Sequence, residues 1–421
     1  MKGLSVFLAL LFFSFLCLAA QEGDIIDWDI DSVFDEPWPE FSPEENADDD
    51  AMASVMGSVK RKGIVFDASY RFQGGFAPGW NITPWDDDEE RVFTWGPYVK
   101  MAASLSMDAQ ISEIFRVKSV MDFCIPSKKN SVFEFSLGDF FFDYNMYNAV
   151  FFRAGKYSQS WGISPNYEFT NLLARVPEDG PKGPSYIMKA DVPIGVGGVQ
   201  ALALTRVDFL KGETPARNDI GLGGKYNLAF RWADFDLGIF YLDRMPLRSF
   251  FSTKTTLWNF ELYNEWLVAV DLNNDNETSF AVNLGFGKDF FNEKLDINWE
   301  FFFNGEGKSS LYHSETDIRE EGISPFVEGF NMALNLIYRF GGKGKPRLFT
   351  QVLYAPMQDS AQLIPGFKLN PWEHIDIYFA VPMALGNKEG YYYKHNEDPK
   401  NRPFSMMLLV TLKGSIKAGY Y

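Results

Sequence analysis

Residues Gly63 to Phe76 read Gly-Ile-Val-Phe-Asp-Ala-Ser-Tyr-Arg-Phe-Gln-Gly-Gly-Phe, and the order of side chains in this stretch decides the fold class. Ile64, Phe66, Ala68, Tyr70 and Phe72 alternate with Asp67, Ser69, Arg71 and Gln73. A strand points successive side chains to opposite faces, so a period of two gives one greasy face and one wettable face. Pro97 to Met107 repeats the split, with Val99, Met101, Ala103 and Leu105 against Lys100, Ser104 and Ser106. Phe115 to Ile125 repeats it again, with Phe115, Val117, Met121 and Phe123 against Arg116, Lys118 and Asp122. Regular windows follow at Ile220 to Trp232, Phe235 to Tyr241, Phe280 to Phe286, Leu295 to Phe303, Phe330 to Phe340 and Ile375 to Leu385. Strands of soluble sheets are usually about five to six residues, whereas these run about nine to thirteen, the length a tilted strand needs to cross a bilayer.

The composition agrees with that reading. No stretch after residue 20 is apolar for long enough to span a membrane as a helix, and the mean hydropathy is -0.17, which excludes a helical membrane protein. Aromatic residues nevertheless make up 17% of the chain, 41 of them Phe. Alternation within strands reconciles a large apolar content with the lack of apolar runs. The formal charge of -17 is local: Gln21 to Asp50 holds 13 acids and no base, and Asp86 to Glu90 adds five acids. Without those 18 charges the remainder carries +1, so a nucleic-acid partner has no electrostatic support.

Met1-Lys2 followed by the apolar run Leu4 to Leu18 and then Ala19-Ala20-Gln21 is the pattern of a secretory signal peptide, with removal expected near Ala20. A lipoprotein reading through Cys17 is disfavoured, because bulky Leu16 precedes it where a small residue belongs. The mature chain then keeps a single cysteine, Cys124, and has no intramolecular disulfide. Residues 21–62 are expected to form an acidic periplasmic segment. It is read as a solvated, disordered tail or, alternatively, as a docking peptide or plug that orders on a basic partner. The Asp27, Asp29, Asp31 spacing lacks the Gly and the bidentate Glu of a calcium loop, Ser32 and Trp38 standing there instead. No metal and no cofactor is expected.

A membrane barrel with both ends in the periplasm alternates long outer loops with short inner turns. Long connections fall at Ala77 to Phe93, Ser158 to Pro184, Gly305 to Glu328 and Gly386 to Pro403. Short ones fall at Asp108 to Ser112, Asn145 to Asn148, Gly195 to Gly197, Ala233-Asp234 and Gly341 to Pro346. The expected fold is all-β, a single closed antiparallel transmembrane β-barrel over residues 63–421 with about eighteen strands. The count is weakest at Thr255 to Asp271, read as two strands, and would fall to about sixteen if that stretch were one irregular element. In the last strand Phe404, Met406, Leu408, Val410, Leu412, Ile416, Ala418 and Tyr420 keep one parity. It looks like the C-terminal recognition strand through which the barrel-assembly machinery would act, although the parity puts Tyr420 rather than the terminal Tyr421 on the lipid face.

The segment Phe152-Arg153-Ala154-Gly155-Lys156-Tyr157-Ser158-Gln159-Ser160-Trp161-Gly162 resembles the strand-to-loop signature of large porin-like barrels, including the alginate-export group. The resemblance covers about 25 residues strongly and implies a passive conduit, with Asn166 to Pro177 as a loop folded into the lumen and Trp161, Gly162, Asn166 and Tyr167 in the constriction. Ser158 to Pro184 is the third outer loop, rich in Pro, Gly and Asn, and a loop of that length either narrows the pore or stands out into the medium.

Assigning the polar parity to the lumen places Arg71, Lys100, Arg116, Lys118, Arg153, Arg206, Lys225, Arg231 and Arg339 inside, with Asp67, Asp122, Glu134, Asp236, Asp296 and Glu300. Rings of basic residues select anions, but rows of Arg and Asp that merely brace a barrel would look the same in sequence. Enzymatic readings are poor. His313, His374 and His395 lie far apart, and neither a zinc-protease, a nucleophile-elbow nor a phosphate-loop pattern occurs. Gly341 to Lys345 is better read as an inner turn. The expected function is an outer-membrane channel for passive passage of small hydrophilic solutes. The alternatives are a structural or surface-interaction barrel with a plugged lumen and a soluble secreted β-protein.

Overall fold

The computed structural model describes residues 63–81, 97–125, 134–167, 185–205, 219–242, 246–272, 278–292, 294–305, 329–341, 346–372, 374–387 and 403–420, with short pieces between them such as 93–94, 170, 173 and 390–394. The expected signal peptide, the acidic segment and Arg206 lie outside the described residues, as does the Glu134 side chain.

The strands in chain order are β1 (Gly63–Phe76), β2 (Gly79–Trp80), β3 (Phe93–Thr94), β4 (Pro97–Ser112), β5 (Phe115–Ile125), β6 (Glu134–Met146), β7 (Val150–Tyr157) and β8 (Ser185–Ile194). They continue with β9 (Gly197–Thr205), β10 (Ile220–Ala229), β11 (Ala233–Leu242), β12 (Leu247–Leu257), β13 (Phe260–Val270), β14 (Thr278–Phe290) and β15 (Leu295–Asn304). The last are β16 (Gly329–Arg339), β17 (Arg347–Ala355), β18 (Ser360–Trp372), β19 (Ile375–Ala380), β20 (Met383–Gly386), β21 (Phe404–Ser405) and β22 (Met407–Tyr420). Leaving aside the four short strands β2, β3, β20 and β21, eighteen antiparallel staves remain. They close when β22 pairs with β1, from Ile64 opposite Tyr420 to Phe76 opposite Leu408. Closure matters because an open sheet edge would leave backbone N–H and C=O groups unpaired.

Connections at one end are short throughout. Three of these hairpins turn on an aromatic–Asn pair with positive φ at both residues: Tyr147-Asn148 (56° and 57°), Trp258-Asn259 (51° and 63°) and Phe291-Asn292 (54° and 57°). Two left-handed residues match the twist of the flanking strands. Two expected turn positions need correction. β4 continues through Ser112, whose partner across the turn is Phe115, so the first turn is Glu113-Ile114 rather than Asp108 to Ser112. β11 begins at Ala233, so the turn before it is Phe230 to Trp232. Thr255 to Asp271 divides at Trp258-Asn259, its first residues belonging to β12, and the count of eighteen stands.

The alternation read from sequence appears as alternating exposure. Outward-facing Leu222, Leu237, Ile239 and Leu284 are exposed, while inward-facing Asn283, Asn298, Glu300 and Asn331 are buried. Tyr147, Trp232, Trp258, Phe291 and Trp372 are exposed at the turn end, where the two halves of an aromatic girdle would meet water.

Candidate functional site: an inner loop clamped to the barrel wall

The connection after β7 turns inward. Its described residues lie against the inner face of successive staves, touching Gln200 of β9, Gly223 of β10, Phe240 of β11, Phe250 of β12, Glu265 of β13, Asn283 of β14, Glu300 of β15, Asn335 of β16 and Gln351 of β17. Trp161 is the apolar anchor. Its ring lies 6.5 Å from Phe240 and 5.5 Å from Phe250, centroid to centroid, and only 1% of it is exposed. Gly223 makes room for it, since a Cβ there would lie 2.9 Å from the indole. The indole Nε1 donates to Gln200 Oε1 at 2.7 Å, and Gln200 Nε2 donates to Asp191 Oδ1 at 2.8 Å. Asp191 also pairs with Lys189 at 3.2 Å, and Lys189 Nζ returns to the loop by donating to Gln159 Oε1 at 3.2 Å. Further along, Tyr167 stacks on Phe302 with centroids 4.7 Å apart. Burial pushes the Tyr167 phenol far above its ordinary range, so it is a neutral group here.

Two carboxylates from the wall hold the stretch between these aromatic anchors. Glu265 Oε1 accepts from the Ile163 backbone N–H at 2.8 Å and from the Thr170 hydroxyl at 2.6 Å. Glu300 Oε2 accepts from the Ser164 hydroxyl at 2.8 Å and from Asn283 Nδ2 at 3.2 Å. Its Oε1 accepts from the Asn166 backbone N–H at 3.2 Å, Asn166 Nδ2 at 2.7 Å and the Tyr263 hydroxyl at 2.9 Å. Asn166 Oδ1 in turn accepts from Asn335 Nδ2 at 2.8 Å and Gln351 Nε2 at 3.2 Å. Buried hydrogen bonds contribute about 0.5–1.5 kcal/mol each, and more where the acceptor is charged, so together they offset the cost of ordering a few loop residues. Gly162 is required by shape: its φ is +101°, and a Cβ would lie 2.3 Å from Thr170 Oγ1 and 3.1 Å from Glu265 Oε1.

Most of the other charged residues singled out in the sequence form a different structure. Arg116 makes a two-point contact with Asp108 and lies 3.9 Å from Asp143, which Arg153 Nε reaches at 2.7 Å. Lys225 pairs with Asp236 at 3.5 Å and Arg339 with Asp296 at 3.2 Å. Lys254–Glu261, Lys368–Asp376–Lys413 and Lys417–Asp67 continue the series. All of these pairs sit in the halves of the staves nearest the short turns. Arg153 also lies over Phe141 at 4.3 Å, and Lys118 over the same ring at 5.9 Å. Arg71, Lys100 and Asp122 are on the inward parity of β1, β4 and β5, whereas Arg231 lies in the turn before β11.

Of the pore-lining residues named from sequence, Glu300 is the one that hydrogen-bonds the loop among the described residues, at Ser164 and Asn166, while Trp161 meets Gln200, Phe240 and Phe250, Gly162 lies beside Thr170 and Glu265, and Tyr167 stacks on Phe302. Glu265 was not named. It sits in the stretch whose strands were least regular in sequence, yet it shares parity with Glu261 and Tyr263 against Leu262, Trp266 and Val268, and that is the signal that could have found it.

No family model matches the sequence, and no curated protein matches it. Solved structures do. Pseudomonas aeruginosa OccK3 (OpdO) is similar with a TM-score of 0.53 at 10% identity, over 84% of this chain and 96% of that one. Acinetobacter baumannii OccAB2 gives 0.53 at 9% identity, over 83% and 98%. Pseudomonas aeruginosa OccK5 (OpdH) gives 0.52 at 10% identity, over 84% and 98%. At such identities the likeness speaks for fold alone, and the fold of this chain is a closed, porin-like antiparallel β-barrel.

Proposed function

We propose that the chain is an outer-membrane channel for passive passage of small hydrophilic solutes, with the inward loop as its constriction. One observation carries this reading: part of the inner wall is left uncovered. Where the loop rests, inward residues such as Asn283 and Glu300 have 0% exposure. In the turn-side part of β1 and β22, inward-facing Ser69, Arg71, Lys413, Ser415 and Lys417 are exposed, whereas Gln73, Met407, Leu409 and Thr411 further along the same strands are buried. Charged side chains turned into a barrel need water or partners, so an exposed row of them supports a wet vestibule at the turn side of that wall, and Arg71, Lys100, Lys118 and Asp122 would line the path leading to it. Pairing of Arg116, Arg153, Lys225 and Arg339 with neighbouring acids supports bracing for these four rather than a selective basic ring. Lipid contact by the outward face, export through residues 1–20 and assembly through β22 belong to the same proposal.

Single-channel recording in planar bilayers tests it. The purified barrel should give conductance steps of one defined size, whereas a plugged structural barrel gives none.

A further inference from the structure

The loop clamp is short of one hydrogen. Glu265 and Glu300 are both 0% exposed, and neither forms an ion pair among the described residues. Glu265 Oε1 is filled by Ile163 N–H and Thr170 O–H, but Oε2 has no donor, although the Ser164 N–H also faces this carboxylate. Asn283 is the direct partner of Glu265 in the β13–β14 ladder, and both side chains point inward. Side chains so placed have Cβ atoms about 4.5–5.5 Å apart. Asn283 Nδ2 donates to the Ser164 hydroxyl at 2.7 Å and to Glu300 at 3.2 Å, and Asn283 Oδ1, in a side chain with 0% exposure, accepts nothing. Turning the amide over does not repair this. Its oxygen would then stand 3.2 Å from Glu300 Oε2, an acceptor against an acceptor.

Among the described residues, the groups facing Glu265 from the packed elements are Ser252 on β12, Asn283 on β14, Glu300 on β15 and Ser164 and Thr170 on the loop, with the phenols of Tyr263 and Tyr167 beyond them. The cations on the same face of β12 stand opposite other residues of β13: Lys254 opposite Tyr263, where it pairs with Glu261 at 3.5 Å, and Arg248 opposite Ala269. A metal ion or a solute group would need space beside side chains that have no exposed surface, while a proton needs none. We propose that the clamp binds one proton, carried on Glu265 and donated from Oε2 to Asn283 Oδ1, and that this proton locks the loop to the wall. Its loss leaves two neighbouring carboxylates ionised in a dry site, facing an amide oxygen as well, and weakens the hold on residues 163–167 and on Thr170. The proton site rests on the docking of the loop and not on the transport reading.

Infrared spectroscopy of the full chain in lipid tests it directly. At neutral pH the wild type should show the carbonyl stretch of a protonated carboxylic acid, and Glu265→Gln, whose amide supplies the same donor, should lack it. In planar bilayers, raising the pH should shift the wild type from docked-loop to released-loop conductance, the ratio changing about tenfold per pH unit as one-proton linkage requires. Glu265→Gln should stay docked across the same range. The absence of the band in the wild type overturns the proposal, as does its persistence in Glu265→Gln. A conductance change that follows sodium against potassium rather than pH also overturns it. If Glu265→Gln does not assemble, the pH titration of the wild-type band decides alone. A band without conductance steps would retain the proton and discard the channel.

Discussion

The turn end of the barrel and the wall at its mid-height both carry carboxylates on their inner face, and they satisfy them in opposite ways. Near the turns Asp143, Asp296 and Asp376 meet Arg or Lys from an adjacent stave. At mid-height Glu265 and Glu300 meet only N–H and O–H groups, several of them from a loop that is distant in sequence. Pairs between neighbouring staves brace each joint of the ring locally, and each joint survives the loss of another. The clamp is concentrated: one carboxylate gathers Ser164, Asn166, Asn283 and Tyr263, so a single substitution should act on the whole loop.

Glu300→Ala should therefore have the largest effect. It leaves buried donors without an acceptor at about 1–3 kcal/mol each, so a total loss of about 4 kcal/mol and a clear rise in single-channel conductance are expected. Unchanged conductance would mean that the loop does not set the constriction. Trp161→Ala comes next. Truncating a buried aromatic of this size costs about 3–5 kcal/mol, and the loop stem should become accessible to limited proteolysis. Arg153→Gln tests the other side of the comparison: an unfolding free energy lower by about 1–2 kcal/mol with unchanged conductance. A conductance change as large as that of Glu300→Ala would erase the distinction between brace and clamp. Lys417→Ser, at a pair whose lysine is 72% exposed, should shift stability by less than about 1 kcal/mol.

Much of the barrel was legible along the chain because period-two alternation and the contrast of long and short connections are local properties. Gly63 to Phe76 and Leu295 to Phe303 needed only their own side chains to be read. The misplaced turns at Ser112 and Ala233 had a different cause. Where a strand stops depends on what its neighbour offers, as when Ser112 pairs with Phe115 past a slip in register. Part of the site was legible too: a resemblance to porin-like barrels pointed to Trp161, Gly162, Asn166 and Tyr167, and parity pointed to Glu300. Glu265 did not stand out, because an acid on the inward parity of a strand looks the same whether it will face water, an arginine or a loop.

By itself, then, the sequence determined that greasy and wettable faces alternate, roughly how many times the chain crosses, and at which end the short turns lie. Each of these follows from neighbours a few residues apart. Only the closed ring decided which inward carboxylates are braced and which hold the loop. Ile163 and Glu265, or Asn166 and Glu300, meet because the circumference brings their staves and the loop to one place, and no local pattern encodes that distance.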